Sequence, residues 1–264
     1  NADRPFFLYF SPLAVHSNLK DTPQHYRDRV PGGNGTAYEG AVIAVDDAVG
    51  KLRATLRKNK LEEKTLILFT GDNGANIGHG GSSEPYRGGK GPDTQQEGWV
   101  HTPTIITWPA EIPAGVTYEG LMATIDFYAT IAAAIQKPIP SNCDGVNLLP
   151  YLSGEKTGDA HEYIFWHNAD PTDAPRRNLY ATRWKDWRLI KNKETGHWQL
   201  FNLKQDPRET SNLSDRNPRV IEKMLDEYNQ FVATLPPLKP SADYSGGGQV
   251  PKGWGWEIGD GNAP

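Results

Sequence analysis

Thr65-Leu66-Ile67-Leu68-Phe69-Thr70-Gly71-Asp72-Asn73-Gly74 is a continuous apolar run of strand length that stops at two oxygen-bearing side chains between glycines. Such a run, apolar on both faces, predicts a strand covered on both sides, as in mostly parallel sheets. Upstream, Tyr38, Val42, Val45, Val49, Leu52 and Leu56 recur at alternating steps of four and three between Thr36 and Lys60, which builds one apolar face of a helix. A helix followed by a buried strand is the order of an α/β sheet. The order repeats downstream, where Thr104 to Trp108 reads as a strand ended by Pro109 and Ile125 to Gln136 as a helix stopped before Pro138. Near the N-terminus Pro5 to Phe10, short, aromatic and bounded by Pro12, is predicted to be a further buried strand.

Beyond Ser153-Gly154 the texture changes. Tyr163 to His167, Leu179 to Trp184, Trp187 to Lys191 and Trp198 to Leu203 are short aromatic runs between turn residues, predicting a small antiparallel sheet. A helix over about Pro218 to Leu235 is expected to pack on it through Val220, Met224, Tyr228 and Phe231. The expected organisation is a large α/β part over residues 1–155, a small antiparallel α+β part over 156–235, and an irregular Pro/Gly/Trp-rich tail over 236–264.

Composition excludes several classes. With 28 basic and 32 acidic residues and no Lys/Arg block, the chain has no stripe that would follow nucleic-acid phosphates. No stretch approaches the roughly 18 to 20 apolar residues that span a bilayer. The single cysteine, Cys143, cannot form an internal disulfide and reads as a packed thiol. Eight Trp and eleven Tyr admit two readings, a surface that stacks on sugar rings or ordinary packing.

The chemistry concentrates after the Leu66–Phe69 run. Loops beyond the carboxyl ends of strands converge on ligands in open α/β sheets. Asp72 and Asn73 offer a carboxylate and an amide oxygen, donors that suit a hard cation such as Ca2+. Lys90 lies within Gly88-Gly89-Lys90-Gly91, where little bulk obstructs an anion approaching its ammonium. His16 follows the Pro5–Phe10 run where a loop should begin. Between the turn and Lys90, His79, Ser82, Ser83, Glu84, Tyr86 and Arg87 carry groups that bond to sugar hydroxyls and anionic substituents. Asp46-Asp47 lies mid-helix and reads as solvated carboxylates.

In this order the segments resemble the type I sulfatase family of the alkaline phosphatase superfamily. Pro5-Phe6-Phe7-Leu8-Tyr9 with His16 looks like its strand leading to a sulfate-binding His, and Leu66 to Gly74 like its strand and calcium turn. Tyr86 to Gly91, with Glu97-Gly98 beyond, is similar to the loop whose Lys binds sulfate, and Asp144 to Gly154 to the segment that closes the large domain. Four departures stand out. The Lys90 to Glu97 interval is about two residues longer than the family pattern, and Trp99 replaces a small residue. The Cys-x-Pro/Ala-x-Arg motif that supplies the formylglycine nucleophile is absent, as is the early Asp-Asp pair that completes the calcium site. Because the two missing pieces belong to the part of the family preceding Pro5, a partial sequence accounts for their absence.

The resemblance implies an alkaline phosphatase-like mixed sheet flanked by helices, and calcium-dependent hydrolysis of a sulfated saccharide or aryl sulfate ester. Asp72 and Asn73 would be metal ligands, His16 and Lys90 catalytic, and His79 and Arg87 substrate-binding. His167, Trp254 and Trp256 are candidates to extend the cleft, and a periplasmic or secreted location is expected. This chain alone would be inactive. Two other functions are compatible with the residues: phosphoryl transfer, for which relatives gather His and Asp around zinc or manganese rather than the oxygen donors of Asp72-Asn73, and non-catalytic binding of sulfated glycans, which a complete chain of this length would favour.

Overall fold

The computed structural model describes residues 4–16, 19–33, 35–90, 96–168, 179–192 and 194–236. The tail with Trp254 and Trp256, and Gly91 beside Lys90, lie outside the described residues.

A short helix α1 (Gln24–Arg27) precedes the long helix α2 (Ala37–Lys58). Thr36 starts α2 with a capping box: its hydroxyl accepts the Glu39 amide at 3.2 Å, and the Glu39 carboxylate accepts the Thr36 amide at 2.8 Å. The predicted apolar face forms, yet only Leu56 of its six residues is buried, and Val42 is exposed. Asp47 is not simply solvated; its carboxylate takes both guanidinium nitrogens of Arg29.

Two strands follow, β1 (Ile67–Thr70) and β2 (Thr104–Thr107), with the short helix α3 (Glu97–Val100) just before β2. Here the expectation of a mostly parallel sheet is corrected, because β1 and β2 pair antiparallel as a two-stranded sheet. The chain between them turns back on itself, and the Thr70 and Thr104 hydroxyls meet at 2.8 Å at the end of the ladder. Two strands cannot bury both faces, and every residue of β1 is half-buried. Pro5 to Phe10 also departs from expectation. It belongs to neither sheet, and Phe7 is 75% and Tyr9 78% exposed. An aromatic run encodes a tendency to be covered, but the cover must come from a neighbour, and no strand pairs with this run among the described residues.

Helix α4 (Asp126–Ala134) anchors the segment before and including the short helix α5 (Leu149–Leu152). Fully buried Asp126 accepts the amides of Ala123 and Val146, each at 2.8 Å, and stands 2.6 Å from His161 Nε2. Thr130 accepts the Leu148 amide at 3.0 Å. Gly145 passes so close to the helix start that a Cβ there would lie 2.1 Å from the Ile125 carbonyl oxygen.

The C-terminal part matches the predicted antiparallel sheet, with β3 (Tyr163–Asn168), β4 (Leu179–Trp184), β5 (Trp187–Lys191) and β6 (Trp198–Asn202) in sequential order. Alternation gives the sheet two different faces. On one, Leu189, Leu200 and Met224 form a core sealed by helix α6 (Pro218–Thr234). On the other, Leu179, Ala181, Ile190, Phe201 and Leu203 pack against Trp99, Val100 and Trp166. Trp166, Trp184, Trp187 and Trp198 therefore serve packing, the second of the two readings of the aromatic content.

Candidate functional site

The site grows from the end of β1. The Gly71 amide donates to the Pro103 carbonyl at 3.3 Å, and the chain then presents an exposed Asp72 and a half-buried Asn73. The Asn73 amide nitrogen donates to the Gly74 carbonyl at 2.9 Å, which leaves its Oδ1 as the atom able to meet a cation. Three backbone layers then come into contact. The Gly74 amide donates to the Trp99 carbonyl at 2.7 Å, the Lys90 amide to the Ala75 carbonyl at 2.8 Å, and the Gly98 amide to the Arg87 carbonyl at 2.9 Å. Glycine is required at these crossings: a Cβ on Gly74 would lie 1.7 Å from the Gly98 carbonyl oxygen, and one on Gly89 2.3 Å from that of Ala75. The structure thus seats the Lys90 loop alongside the Asp72–Asn73 turn.

Of the other predicted residues, His79, Arg87 and His16 are exposed and His167 lies in β3. His79 ends a single 3-10 turn, Ile77–His79, and is exposed. Arg87 is exposed, with its guanidinium 5.9 Å above the ring of Phe201, so this loop also touches the C-terminal sheet. His16 is exposed in a separate turn, its amide donating to the Leu13 carbonyl at 2.9 Å. His167 bonds to Tyr228 through Nδ1 at 2.7 Å and lies against α6. Burial holds its pKa below the usual histidine value.

Three heavily buried charges, Glu97, Arg188 and Glu209, have no role assigned from the sequence, where Glu97 stands only as part of the Glu97-Gly98 match. Glu97, 6% exposed, places Oε2 2.7 Å from Nη1 of fully buried Arg188, and Oε1 3.3 Å from Arg183 Nη1 and 3.2 Å from His101 Nδ1. Arg188 Nε lies 3.3 Å from Glu209 Oε1, and Glu209 Oε2 accepts the Glu97 amide at 2.8 Å. Burial pushes the Glu97 carboxyl up, but Arg188, His101 and Arg183 together bring it down to about 2. Burial dominates at Glu209, which is raised in spite of Arg188. One signal for this cluster was present in the sequence: in a strand over Trp187 to Lys191, Arg188 shares the inward parity of Ile190.

Asp72 and Asn73 supply oxygen donors suited to calcium, which takes roughly six to eight. Among the described residues no group of three His, Cys, Asp or Glu side chains gathers to hold a metal ion. The pair fits as a share of a calcium site and does not close one. No helix of the described chain is long and apolar enough to cross a membrane.

The sulfatase family pattern matches residues 1–137, and the pattern described as N-sulphoglucosamine sulphohydrolase, C-terminal, matches residues 95–233. Arylsulfatase A of Bos taurus is 32% identical over 91% of this chain and 50% of its own length. Among solved structures, one from Bacteroides thetaiotaomicron, described under the metabolism of multiple glycosaminoglycans, superposes with a TM-score of 0.73 at 25% identity, covering 88% of this chain and 51% of that one. Ps i-CgsB in complex with k-i-k-neocarrahexaose gives 0.71 at 30% identity over 83% and 48%. The chain spans about half the length of the relatives it matches. With the strand, glycine turn and Lys90 loop in the expected order, an alkaline phosphatase-like sulfatase fold by structural match, and family patterns that together run from residue 1 to 233, this chain belongs to the sulfatase family.

Proposed function

We propose that this chain supplies the sulfate-holding part of a calcium-dependent sulfuric ester hydrolase acting on a sulfated carbohydrate, with the nucleophile contributed from outside these 264 residues. The observation that carries the reading is the bond from the Lys90 amide to the Ala75 carbonyl, which keeps the Lys90 loop beside the Asp72–Asn73 turn. Asp72 and Asn73 are the residues that would hold calcium, through a carboxylate oxygen and the Asn73 Oδ1. When bound, the metal supplies Lewis-acid withdrawal of charge from sulfate oxygens. The Lys90 ammonium binds a sulfate oxygen and offsets the charge that develops as the ester bond breaks. His16 holds the sulfate and gives a proton to the departing alcohol. Cys143 precedes Asp144-Gly145-Val146, outside the Cys-x-Pro/Ala-x-Arg pattern, so formylglycine is assigned to a preceding segment.

A carbohydrate is favoured over a small aryl sulfate because His79 and Arg87 lie on the stretch between the metal turn and Lys90, as exposed groups able to bond sugar hydroxyls and a neighbouring anion. The similarity to a protein solved with a neocarrahexaose supports the same class. In the gene product at its full natural length, Lys90→Ala is expected to lower kcat/KM on an aryl sulfate by about 100-fold or more, the scale of losing one charge-stabilising donor. The paired change His79→Ala and Arg87→Ala should impair an oligosaccharide sulfate more than the aryl sulfate. Unchanged turnover by the Lys90 variant contradicts the assignment of Lys90, and equal losses on both substrates contradict the glycan-reading role.

A further inference from the structure

Helix α3 is a single turn, too short to hold its own position, yet both the Asp72–Gly74 turn and the Lys90 loop lean on it. Gly98 lies against the loop so tightly that a Cβ there would stand 2.5 Å from the Gly88 and 2.6 Å from the Arg87 carbonyl oxygens, and the next carbonyl, of Trp99, accepts the Gly74 amide. The restraint on α3 comes from the far side. Glu97 is fixed twice by the C-terminal sheet region, its backbone amide by the Glu209 carboxylate at 2.8 Å and its own carboxylate by Arg188 at 2.7 Å. Arg188 is 0% exposed, sits across β5 and β6 from Phe201, and has the Trp166 ring 5.1 Å from its guanidinium carbon. Apolar residues would fill this face at lower desolvation cost. What the charged pairs add is direction, since a guanidinium on the side-chain carboxylate and a carboxylate on the backbone amide fix Glu97 in place as a greasy contact does not.

We propose that Glu97, Arg188 and Glu209 are positioning residues that set the spacing between the Asp72–Asn73 turn and the Lys90 loop, so that the C-terminal sheet determines the geometry of the sulfate site from behind. The catalytic consequence rests on the sulfatase reading above; the geometric one does not.

The test compares Glu209→Gln and Arg188→Met with Leu200→Ala, which weakens the opposite face of the same sheet. Amide hydrogen exchange in the 264-residue chain should accelerate by about tenfold at Gly74, Lys90 and Gly98 in the first two variants, and should leave those amides as they are in Leu200→Ala at matched overall stability. If Arg188→Met fails to fold, Glu209→Gln carries the comparison, since it keeps the side-chain shape but replaces the charge-assisted bond on the Glu97 amide with a weaker neutral one and removes the charge facing Arg188. In the full natural gene product Glu209→Gln should lower kcat on an aryl sulfate by about tenfold while KM moves less, as for a loss expressed in the transition state. Unchanged exchange at the three amides, or equal release in Leu200→Ala, overturns the proposal. A gene product that folds, shows the exchange pattern and hydrolyses no sulfate ester instead removes the sulfatase reading and leaves the brace standing.

Discussion

Glu97 is the residue on which the account can be measured most simply. Its folded value of about 2 lies below the ordinary 4.5, so the ionised form stabilises the fold above pH 4.5, and that contribution disappears as the pH falls toward 2. The difference corresponds to about 3 kcal/mol. Glu209 runs the other way: its raised folded value means that its contribution is present at low pH and lost as pH rises through that value. Urea unfolding of the 264-residue chain at a series of pH values should therefore show Glu97→Gln losing about 3 to 5 kcal/mol at pH 7, by leaving Arg188 buried without its main partner. Its acid limb should be flatter than the wild-type limb, and Glu209→Gln should cost less at pH 7 than Glu97→Gln. Parallel acid limbs would show that Glu97 is not the group holding the network together. At this scale the close backbone crossings beside Asp72, Asn73 and Lys90 are legible in the sequence because glycines flank them, and glycine marks a backbone that comes close to something. Glu209 carries no such mark, and the Gly98 beside Glu97 marks a backbone crossing rather than a buried carboxylate. The partners of the two carboxylates are set by which strand residues face inward, and that information belongs to pairs of segments far apart in the chain.

Elements whose cause is local were read almost to the residue. Helix α2 was predicted from Thr36 and begins there because Thr36 and Glu39 satisfy one another's amides; Thr36→Ala should cost about 1 kcal/mol in thermal or urea unfolding. The strands β3 to β6 and helix α6 were equally plain, since turn residues bound each short aromatic run and the opposing helix face is built from the same chain. Asp126 at the start of α4 acts over a longer distance, joining three donors from Ala123, Val146 and His161. Asp126→Ala should thus destabilise by about 3 kcal/mol or more, since it strips partners from several buried groups at once, and should loosen protection of the Val146 and Leu148 amides in hydrogen exchange. The elements read wrongly share one feature. Pro5 to Phe10 and β1 were expected to be buried, and each has an apolar pattern whose cover depends on a neighbour that pattern alone does not identify.

The whole molecule is unevenly finished. Its C-terminal sheet is covered on both faces, whereas the stretch carrying Phe7, Tyr9 and Leu13 and part of the α2 face leave large apolar side chains exposed. Met224→Ala, at the centre of the sheet–α6 core, should lower stability by roughly 2 to 5 kcal/mol; Phe7→Ser, in contrast, should leave the urea midpoint of this chain nearly unchanged and improve its solubility. The same unevenness applies to the proposed site, where Asp72, Asn73 and Lys90 are assigned to this chain and the attacking group is assigned elsewhere. The most direct measurement is hydrolysis of an aryl sulfate by the purified 264-residue chain, with calcium added and with calcium removed. The account predicts no turnover above buffer under either condition, because positioned charge without a nucleophile leaves only slow attack by water. Calcium-dependent hydrolysis that disappears in Lys90→Ala would contradict it, by showing that the nucleophile lies within this chain.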